Sequence, residues 1–170
     1  MTHHRRRNNG IDPSKINETV ELSPAQRYAA FKQTQAKQRT VAAEFARSMP
    51  FELDEFQMQA NDALEAGDNV LVAAPTGAGK TVAADFAIYL AQTRNVKAFY
   101  TTPIKALSNQ KYHDLVDQYG TDKVGLLTGD TSINSEADIV VMTTEVLRNM
   151  LYEHSVTLEA LRYVILDEVH

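Results

Sequence analysis

From residue 69 onward, short apolar runs alternate with stretches whose apolar residues recur at helical spacing. The first run, residues 70–73, has the composition of a buried strand. The apolar residues after it recur every three or four positions, as on one face of a helix: Val82, Ala83, Phe86, Ala87 and Leu90. Further strands are predicted at 96–101, 137–142 and 163–166. This alternation is typical of an α/β fold, in which helices cover both faces of a parallel sheet.

The chain before residue 69 is predicted to contain a tail and two helices and no strand. Residues 1–22 carry turn-forming and scattered polar residues and are expected to form a flexible tail. Residues 23–49 contain no internal breaker, and Ser23 followed by Pro24 suits the start of a helix. Asp54 is expected to cap a second helix that ends at Gly67. Residues 50–170 are then expected to form the main domain.

A glycine loop with the pattern A-x-x-x-x-G-K-T follows the first predicted strand. Gly77 and Gly79 allow the backbone to fold closely around a phosphate, with N–H groups and a helix N-terminus facing the anion. Lys80 supplies charge for the β- and γ-phosphates, and Thr81 a hydroxyl for Mg²⁺. The loop predicts nucleoside triphosphate binding; the alternative is a strand–turn–helix with a chance G-K-T. The expected contacts are Ala73, Ala74, Pro75, Thr76, Gly77, Ala78, Gly79, Lys80 and Thr81.

The last predicted strand runs into two adjacent carboxylates, Asp167 and Glu168. In ATPases with such a glycine loop, the first carboxylate holds Mg²⁺ and the second orients or deprotonates the attacking water. An ordinary exit from a strand has the same composition, but its pairing with a glycine loop favours the catalytic interpretation. We therefore expect Lys80, Asp167 and Glu168 to be catalytic, and Thr81 and Asp167 to hold the metal.

Two other predicted strands end in small polar residues. Thr102 and Pro103 follow strand 96–101, and Thr143 and Thr144 follow strand 137–142. Hydroxyl groups and helix N–H groups suit a nucleic-acid phosphate backbone. Each segment alone has the composition of an ordinary helix cap. Only their repetition after successive strands favours a shared binding edge.

Together these motifs resemble a superfamily 2 helicase of the DExH type, and most nearly the Ski-like RNA helicases, including those of actinobacteria. The resemblance covers residues 50–170. It includes the segment that reads adenine, motif Ia, motif Ib and the helix start that follows it: residues 50–57, 102–112, 127–130 and 142–150.

The resemblance implies a RecA-like domain that uses ATP and Mg²⁺. It implies that Gln57 reads the adenine edge, that Phe51 packs against the ring, and that His170 completes the catalytic D-E-V-H motif. It also implies a nucleic-acid edge formed by Thr102, Pro103, Lys105, Ser108, Asn109, Gly129, Thr143 and Thr144. The chain departs from the family at three positions: Ala74 replaces the first glycine of the loop, Asn61 an apolar residue, and Asp85 a glutamate.

The function that the resemblance implies is an ATP-dependent RNA helicase that acts on single-stranded nucleic acid, RNA rather than DNA, in association with an RNA-degradation complex. A DNA-repair helicase of the same superfamily is the first alternative, because it shares the glycine loop and the Asp-Glu-x-His motif. In the family, the strand between the two motif strands and a second RecA-like domain follow residue 170. We therefore expect an N-terminal fragment with a truncated first lobe, and the second alternative is a fragment that is non-catalytic on its own.

Amino-acid composition limits which classes of protein and of site remain possible. The 170 residues, 44% hydrophobic and 23% charged, suit one globular domain. A net charge of −5 provides no general attraction to nucleic acid, so binding must use a local surface. The absence of cysteine excludes disulfides and cysteine–zinc sites and fits a cytoplasmic location. No apolar run approaches the roughly 18 residues of a membrane span, so no membrane partner is expected.

Overall fold

The computed structural model describes residues 23–37 and 39–168. The predicted tail, residues 1–22, and the predicted catalytic residue His170 lie outside the described residues. The chain divides into two units, Met1–Gln38 and Arg39–His170.

The described part of the first unit is one helix, α1 (Pro24–Lys37). The N–H of Ser23 donates to Gln26 Oε1 at 2.8 Å, and the N–H of Gln26 donates to Ser23 Oγ at 3.3 Å. These reciprocal bonds satisfy two N–H groups that lack partners within the helix. The predicted start of the helix at Ser23 and Pro24 is therefore confirmed.

The single helix predicted over residues 23–49 is wrong, because a second helix, α2 (Val41–Ser48), begins separately in the second unit. Thr40 has an extended backbone (φ −75°, ψ 156°), and its hydroxyl accepts the N–H of Ala43. The Glu65 carboxylate accepts the N–H groups of Val41 and Ala42 at 3.0 and 2.7 Å. Threonine is favoured at a helix N-cap, where its hydroxyl accepts a free backbone N–H, and is less favoured inside a helix. Thr40 therefore begins a new helix instead of continuing the first.

Four longer helices follow in the second unit. The first begins after Asp54 and ends at Gly67, whose φ of 94° is a left-handed conformation that glycine adopts without strain, as the sequence predicted. The helices are α3 (Glu55–Ala66), α4 (Thr81–Thr93), α5 (Lys105–Tyr119) and α6 (Thr144–Tyr152), and a short 3-10 helix spans Val156–Leu158.

A five-stranded sheet organises this unit. Its strands are β1 (Lys97–Thr102), β2 (Val124–Thr128), β3 (Thr131–Ile133), β4 (Ile139–Thr143) and β5 (Leu161–Leu166). They lie in the order β3-β2-β4-β1-β5, and every neighbouring pair is parallel except β2 and β3. The predicted α/β class is confirmed, and the antiparallel β3 is an addition that the apolar pattern did not predict.

Helices cover both faces of the sheet, as the alternation of buried strand residues requires. Tyr100 and Val141 pack with Ile88 of α4 and Leu115 of α5. Their neighbours along each strand point to the opposite face of the sheet. There Phe99, Val140 and Met142 pack with Leu147 of α6. A third cluster joins α2 to α4 and includes Phe45, Phe86 and Leu90. The strands are thus fixed from both sides, and so are the loops at their carboxyl ends.

Residues 70–73 are not a strand, although their apolar pattern predicted one. Leu71 is 92% exposed. A strand is maintained by hydrogen bonds to a neighbour, and none of the five strands formed by the described residues pairs with this segment. The sheet ends instead at β5, which pairs with β1. The prediction is corrected here because periodicity reports apolar character and not the presence of a partner.

Candidate functional site

The glycine loop precedes α4 and adopts the backbone conformations that its glycines allow. Gly77 and Gly79 have φ values of 83° and 76°, which side chains other than glycine rarely adopt. A turn is closed by the N–H of Ala78, which donates to the carbonyl of Pro75 at 3.2 Å. Helix α4 begins two residues after Gly79, at Thr81. The loop is thus a tight turn that leads into a helix N-terminus, as predicted for a phosphate site.

All the loop residues predicted to contact nucleotide are accessible, being exposed or half-buried. They are Ala73, Ala74, Pro75, Thr76, Gly77, Ala78, Gly79, Lys80 and Thr81.

Gly79 is also the point where the loop meets α3. A Cβ atom at this position would lie 2.5 Å from Nε2 of Gln57. Gln57 is 4% exposed, and its Nε2 donates to the carbonyl of Gly79 at 3.0 Å. Its Oε1 accepts the N–H of Asp54 at 2.8 Å, so the same amide also caps α3. Each amide atom retains further bonding capacity, and the predicted contact with adenine stays a prediction.

Phe51, the other residue predicted to contact adenine, lies in a groove that includes no residue of the glycine loop. Its side chain is 52% exposed and lines this groove with Arg47 and Met58.

A cleft of about 830 Å³ lies mainly between residues 67–72 and β5, and residues 73–79 of the glycine loop and Thr81 are not among the residues that line it. Its walls include Lys80 from the glycine loop and Asp167 and Glu168 from the end of β5. Residues 70–72 form part of one wall, and Val164 and Leu166 of β5 lie among the other lining residues. Thr81 is exposed beside Lys80. The structure therefore places a cation and two carboxylates, which are far apart in sequence, around one space.

Asp167 is oriented by three hydrogen bonds. Its N–H donates to the carbonyl of Thr101 at 3.0 Å, which extends the β1–β5 pairing by one residue. Its Oδ1 accepts the N–H of Glu168 at 2.9 Å, and its Oδ2 accepts the Tyr100 hydroxyl at 2.5 Å. Glu168 has a φ of 54°, a left-handed backbone that turns the chain directly after the strand. Each carboxylate oxygen can accept a further bond, so Asp167 retains the capacity to bind a cation or its water.

Tyr100 is a site residue that the motifs did not identify. It is 1% exposed, and burial, followed by the hydrogen bond to Asp167, raises the pKa of its phenol. The phenol is therefore the donor and Asp167 the acceptor. The sequence did contain a signal, because a tyrosine in a buried strand needs a partner for its hydroxyl. The partner is 67 positions away, and sequence reasoning does not identify it.

The predicted nucleic-acid edge separates into surface residues and buried supports. Pro103, Lys105, Asn109, Gly129, Thr143 and Thr144 are exposed or half-buried. Thr102 and Ser108 are 2% and 0% exposed, and their hydroxyls lie 2.7 Å apart. Because this pair is internal, it supports the turn between β1 and α5.

The strand ends at this edge are joined in space. Thr102 and Thr143 are register partners in β1 and β4, and the Thr144 hydroxyl donates to the carbonyl of Thr102 at 3.2 Å. The two polar segments that follow successive predicted strands therefore lie side by side, as expected for the carboxyl ends of parallel strands.

An ion pair closes one part of this edge. Lys105 Nζ lies 2.7 and 2.6 Å from the two carboxylate oxygens of Asp130, which follows β2. The Thr128 hydroxyl also donates to Asp130, at 3.0 Å. The bonds from Lys105 and from Thr128 lower the pKa of Asp130. The cation expected to meet a phosphate is thus paired with a carboxylate in this structure.

Two other features of the described residues limit the kinds of site. None of their helices has the length and apolar character needed to cross a membrane. Among the same residues, no group of three or more His, Cys, Asp or Glu side chains has the geometry of a metal site.

Comparison with known proteins identifies relatives of the site and of the fold. A family model described as DEAD/DEAH box helicase matches residues 54–170. The probable helicase HelY of Mycobacterium tuberculosis is 61% identical over 126 residues, which are 74% of this chain and 14% of that protein. The antiviral helicase SKI2 of Saccharomyces cerevisiae is 52% identical over 125 residues, 74% of this chain and 10% of that protein. This chain therefore spans only a small part of the length of these relatives.

A solved structure shows the same fold. It is a hypothetical ATP-dependent RNA helicase from Sulfolobus tokodaii, similar with a TM-score of 0.54 and 28% identity, over 74% of this chain and 40% of that one. The five-stranded, mostly parallel sheet with flanking helices is thus a RecA-like helicase lobe. Because the family model covers most of the chain and includes both the glycine loop and the Asp167–Glu168 pair, this chain belongs to the DEAD/DEAH box helicase family.

Proposed function

We propose that this chain is the ATP-binding part of an ATP-dependent RNA helicase, with residues 50–170 as its ATP-binding domain. The observation that carries the proposal is the cleft that Lys80, Asp167 and Glu168 share. A lysine after a glycine loop and a carboxylate at the end of a parallel strand are the groups that hold nucleotide phosphates and their cation in such ATPases. The cytoplasmic location remains an expectation from composition.

The residues present fit Mg²⁺. Asp167 and Thr81 offer a carboxylate and a hydroxyl, and oxygen ligands are those that Mg²⁺ prefers. Asp167 keeps accepting capacity after its three hydrogen bonds. When bound, Mg²⁺ would neutralise charge on the phosphates.

Side chains of the protein would bind the phosphates, activate the attacking water and select adenine. Lys80 would place a positive charge beside the phosphates. Glu168 lines the same cleft and would orient the attacking water and accept its proton. Gln57 would select adenine from its position against the loop.

Several relatives support RNA as the nucleic acid that this protein binds. These include the DExH-box ATP-dependent RNA helicase DExH11 of Arabidopsis thaliana, 50% identical over 127 residues, and the superkiller complex protein 2 of mouse, 54% identical over 120 residues. The exposed residues after β1 and β4 would contact phosphates and sugars rather than bases, since they present small polar groups and helix N–H groups. Binding is then tolerant of sequence and weakened by salt. The partner that we propose is a complex for RNA degradation, on the ground of the resemblance to Ski-like RNA helicases; the mouse relative is named as a protein of a superkiller complex.

The test uses the complete product of the reading frame that contains this chain. ATP hydrolysis is measured alone, with single-stranded RNA, and with single-stranded DNA of the same sequence, together with unwinding of the matching duplexes. We expect RNA to stimulate hydrolysis more than DNA. Stimulation by DNA alone would indicate the DNA-repair helicase instead, and hydrolysis that neither polymer stimulates would contradict the proposal.

A further inference from the structure

Tyr100 lies beneath the predicted metal ligand and is enclosed by protein. Its side chain is 1% exposed, and its hydroxyl donates to Asp167 Oδ2 at 2.5 Å. Among the residues that the structure describes, the other hydrogen bond to this carboxylate comes from the N–H of the adjacent residue, Glu168, at 2.9 Å. Tyr100 is therefore the side chain that fixes the rotation of this carboxylate from the core of the domain.

The ring of Tyr100 is itself held by a charged pair. Lys111 Nζ of α5 lies 4.9 Å from the ring centroid, a cation–π distance. The same Nζ lies 2.9 Å from Asp85 Oδ1 of α4. The side chains of Lys111 and Asp85 are 15% and 31% exposed, so the pair is partly shielded from water.

These contacts connect four elements of the site. Asp85 is one helical turn after Thr81 on α4, and Lys111 is on α5, the helix that begins with Lys105. Tyr100 is on β1, and Asp167 follows β5. Groups on four separate elements thus converge on the orientation of one carboxylate.

We propose that Tyr100 is a positioning residue for Asp167 in the magnesium–ATP site, and that Lys111, paired with Asp85, holds Tyr100 in place. The proposal rests on the function proposed above. A carboxylate that follows the last residue of an edge strand would otherwise rotate about its own side-chain bonds. The phenol occupies one acceptor site of Oδ2 and limits this rotation, and the other acceptor sites of the carboxylate remain available to a cation or its water. Partners that orient a metal ligand commonly change metal affinity by about 10- to 100-fold when removed.

The first test is Tyr100→Phe, which removes the hydroxyl and keeps the ring. Binding of a fluorescent ATP analogue is measured across a Mg²⁺ titration, so the readout is binding rather than turnover. We expect the Mg²⁺ concentration at half-maximal binding to rise about tenfold. Binding of the analogue without Mg²⁺ is expected to stay as in the wild type, because Tyr100 is 1% exposed and thus shielded from a ligand in the cleft.

The matched control is Tyr119→Phe. Tyr119 packs against the same buried cluster as Tyr100, and its hydroxyl accepts a bond from Gln118 at 3.3 Å on the exposed side. This variant is expected to retain the wild-type Mg²⁺ requirement. A folded Tyr100→Phe variant with the Mg²⁺ requirement of Tyr119→Phe would overturn the inference.

A second variant tests the pair of Lys111 and Asp85, and its result can be interpreted even if the Tyr100→Phe protein does not fold. Lys111→Met keeps most of the aliphatic stem and removes the cation, and we expect the same direction of change with a smaller size. An unchanged Mg²⁺ requirement in this variant would show that Lys111 does not hold Tyr100. A wild-type protein that binds no ATP analogue with Mg²⁺ would contradict the proposed function, whereas equal Mg²⁺ requirements in a wild type that does bind would contradict only this inference.

Discussion

Gln57 joins the cap of α3 to the glycine loop through a single amide group. Its Oε1 accepts the N–H of Asp54, and its Nε2 donates to the carbonyl of Gly79. The family resemblance implies that this amide selects adenine, and its position in the structure offers capping of the helix as the alternative role. The structure contains the capping bond and leaves adenine recognition to be measured.

Replacing Gln57 with alanine separates these two roles. If its amide reads the adenine edge, Gln57→Ala weakens ATP binding by about tenfold, on the order of 1.4 kcal/mol, and leaves the weaker binding of GTP unchanged. Dissociation constants for both nucleotides are compared, with a melting curve to report the lost contact to Gly79. Equal losses for ATP and GTP would show that Gln57 serves only the structure.

Asn61 lies one turn after Gln57 and is 1% exposed. Among the described residues, its Nδ2 and Oδ1 are the buried side-chain atoms that have no hydrogen-bond partner. A buried amide without partners costs free energy that an apolar side chain of similar size does not.

We therefore expect Asn61→Leu to raise the free energy of unfolding by about 1–3 kcal/mol. Asn61→Asp is the opposing variant and is expected to lower it, because it buries a charge without a partner. Thermal or urea unfolding of the three proteins provides the comparison. A leucine variant less stable than the wild type would show that the amide has a partner, such as a buried water.

Residue identities predicted which side chains line the cleft better than they predicted the residues that support them. Lys80, Asp167 and Glu168 were identified because each follows a local pattern of strand and loop, and the structure brings all three to one cleft. Tyr100 was not identified, because its role depends on a partner on another strand. Local sequence contains no record of which strands become neighbours.

At the scale of helices and strands, α5 contacts the turn after β2 through an ion pair between Lys105 and Asp130. Lys105 is a cation of the proposed RNA edge. Lys105 begins α5 and is 47% exposed at its side chain, while that of Asp130 is 68% exposed. An exposed ion pair of this kind contributes little to stability, because water and salt screen the attraction between its charges. A phosphate that approaches Lys105 must displace the Asp130 carboxylate or share the cation with it.

Asp130→Asn is therefore expected to strengthen binding of single-stranded RNA modestly, by about two- to fivefold, because an exposed ion pair competes only weakly for Lys105. Asp122→Asn, at an exposed position before β2, is the control for the general loss of one negative charge. Dissociation constants are measured at low and at moderate salt, and the gain is expected to shrink as salt rises. If the two variants bind RNA equally, Lys105 is not restrained by Asp130 in the way that the structure indicates.

Elements with strong boundary signals were predictable, and elements that depend on distant pairing were not. Asp54 and Gly67 define α3 locally, so the predicted and observed ends agree. Residues 70–73 are apolar enough for a strand, but a strand also needs a hydrogen-bonded neighbour. Strand β3 was missed for the opposite reason, because it is short and polar and is assigned only by its pairing with β2.

At the scale of the whole molecule, the sheet converts separate motifs into one surface. Strands β2, β4, β1 and β5 are parallel, so the segments that follow them meet at the same edge. That edge carries the Asp167 carboxylate after β5 and the proposed RNA contacts after β1 and β4. The proposed metal ligand Asp167 and the proposed RNA contacts therefore follow neighbouring strands, and Tyr100 on β1 donates to Asp167.

The central claim is that the cleft beside the glycine loop is the site of ATP hydrolysis, and replacing Lys80 with alanine tests it most directly. RNA-stimulated ATP hydrolysis is measured for the complete gene product as wild type, as Lys80→Ala and as Lys123→Ala, a control at an exposed lysine that contacts Gln92. Removing one fixed charge contact from a closed site typically costs about 10²–10³ in rate. We expect a loss of that size in Lys80→Ala and wild-type rates in Lys123→Ala. Hydrolysis by a folded Lys80→Ala protein within about threefold of the wild-type rate, far less than that typical cost, would contradict the account.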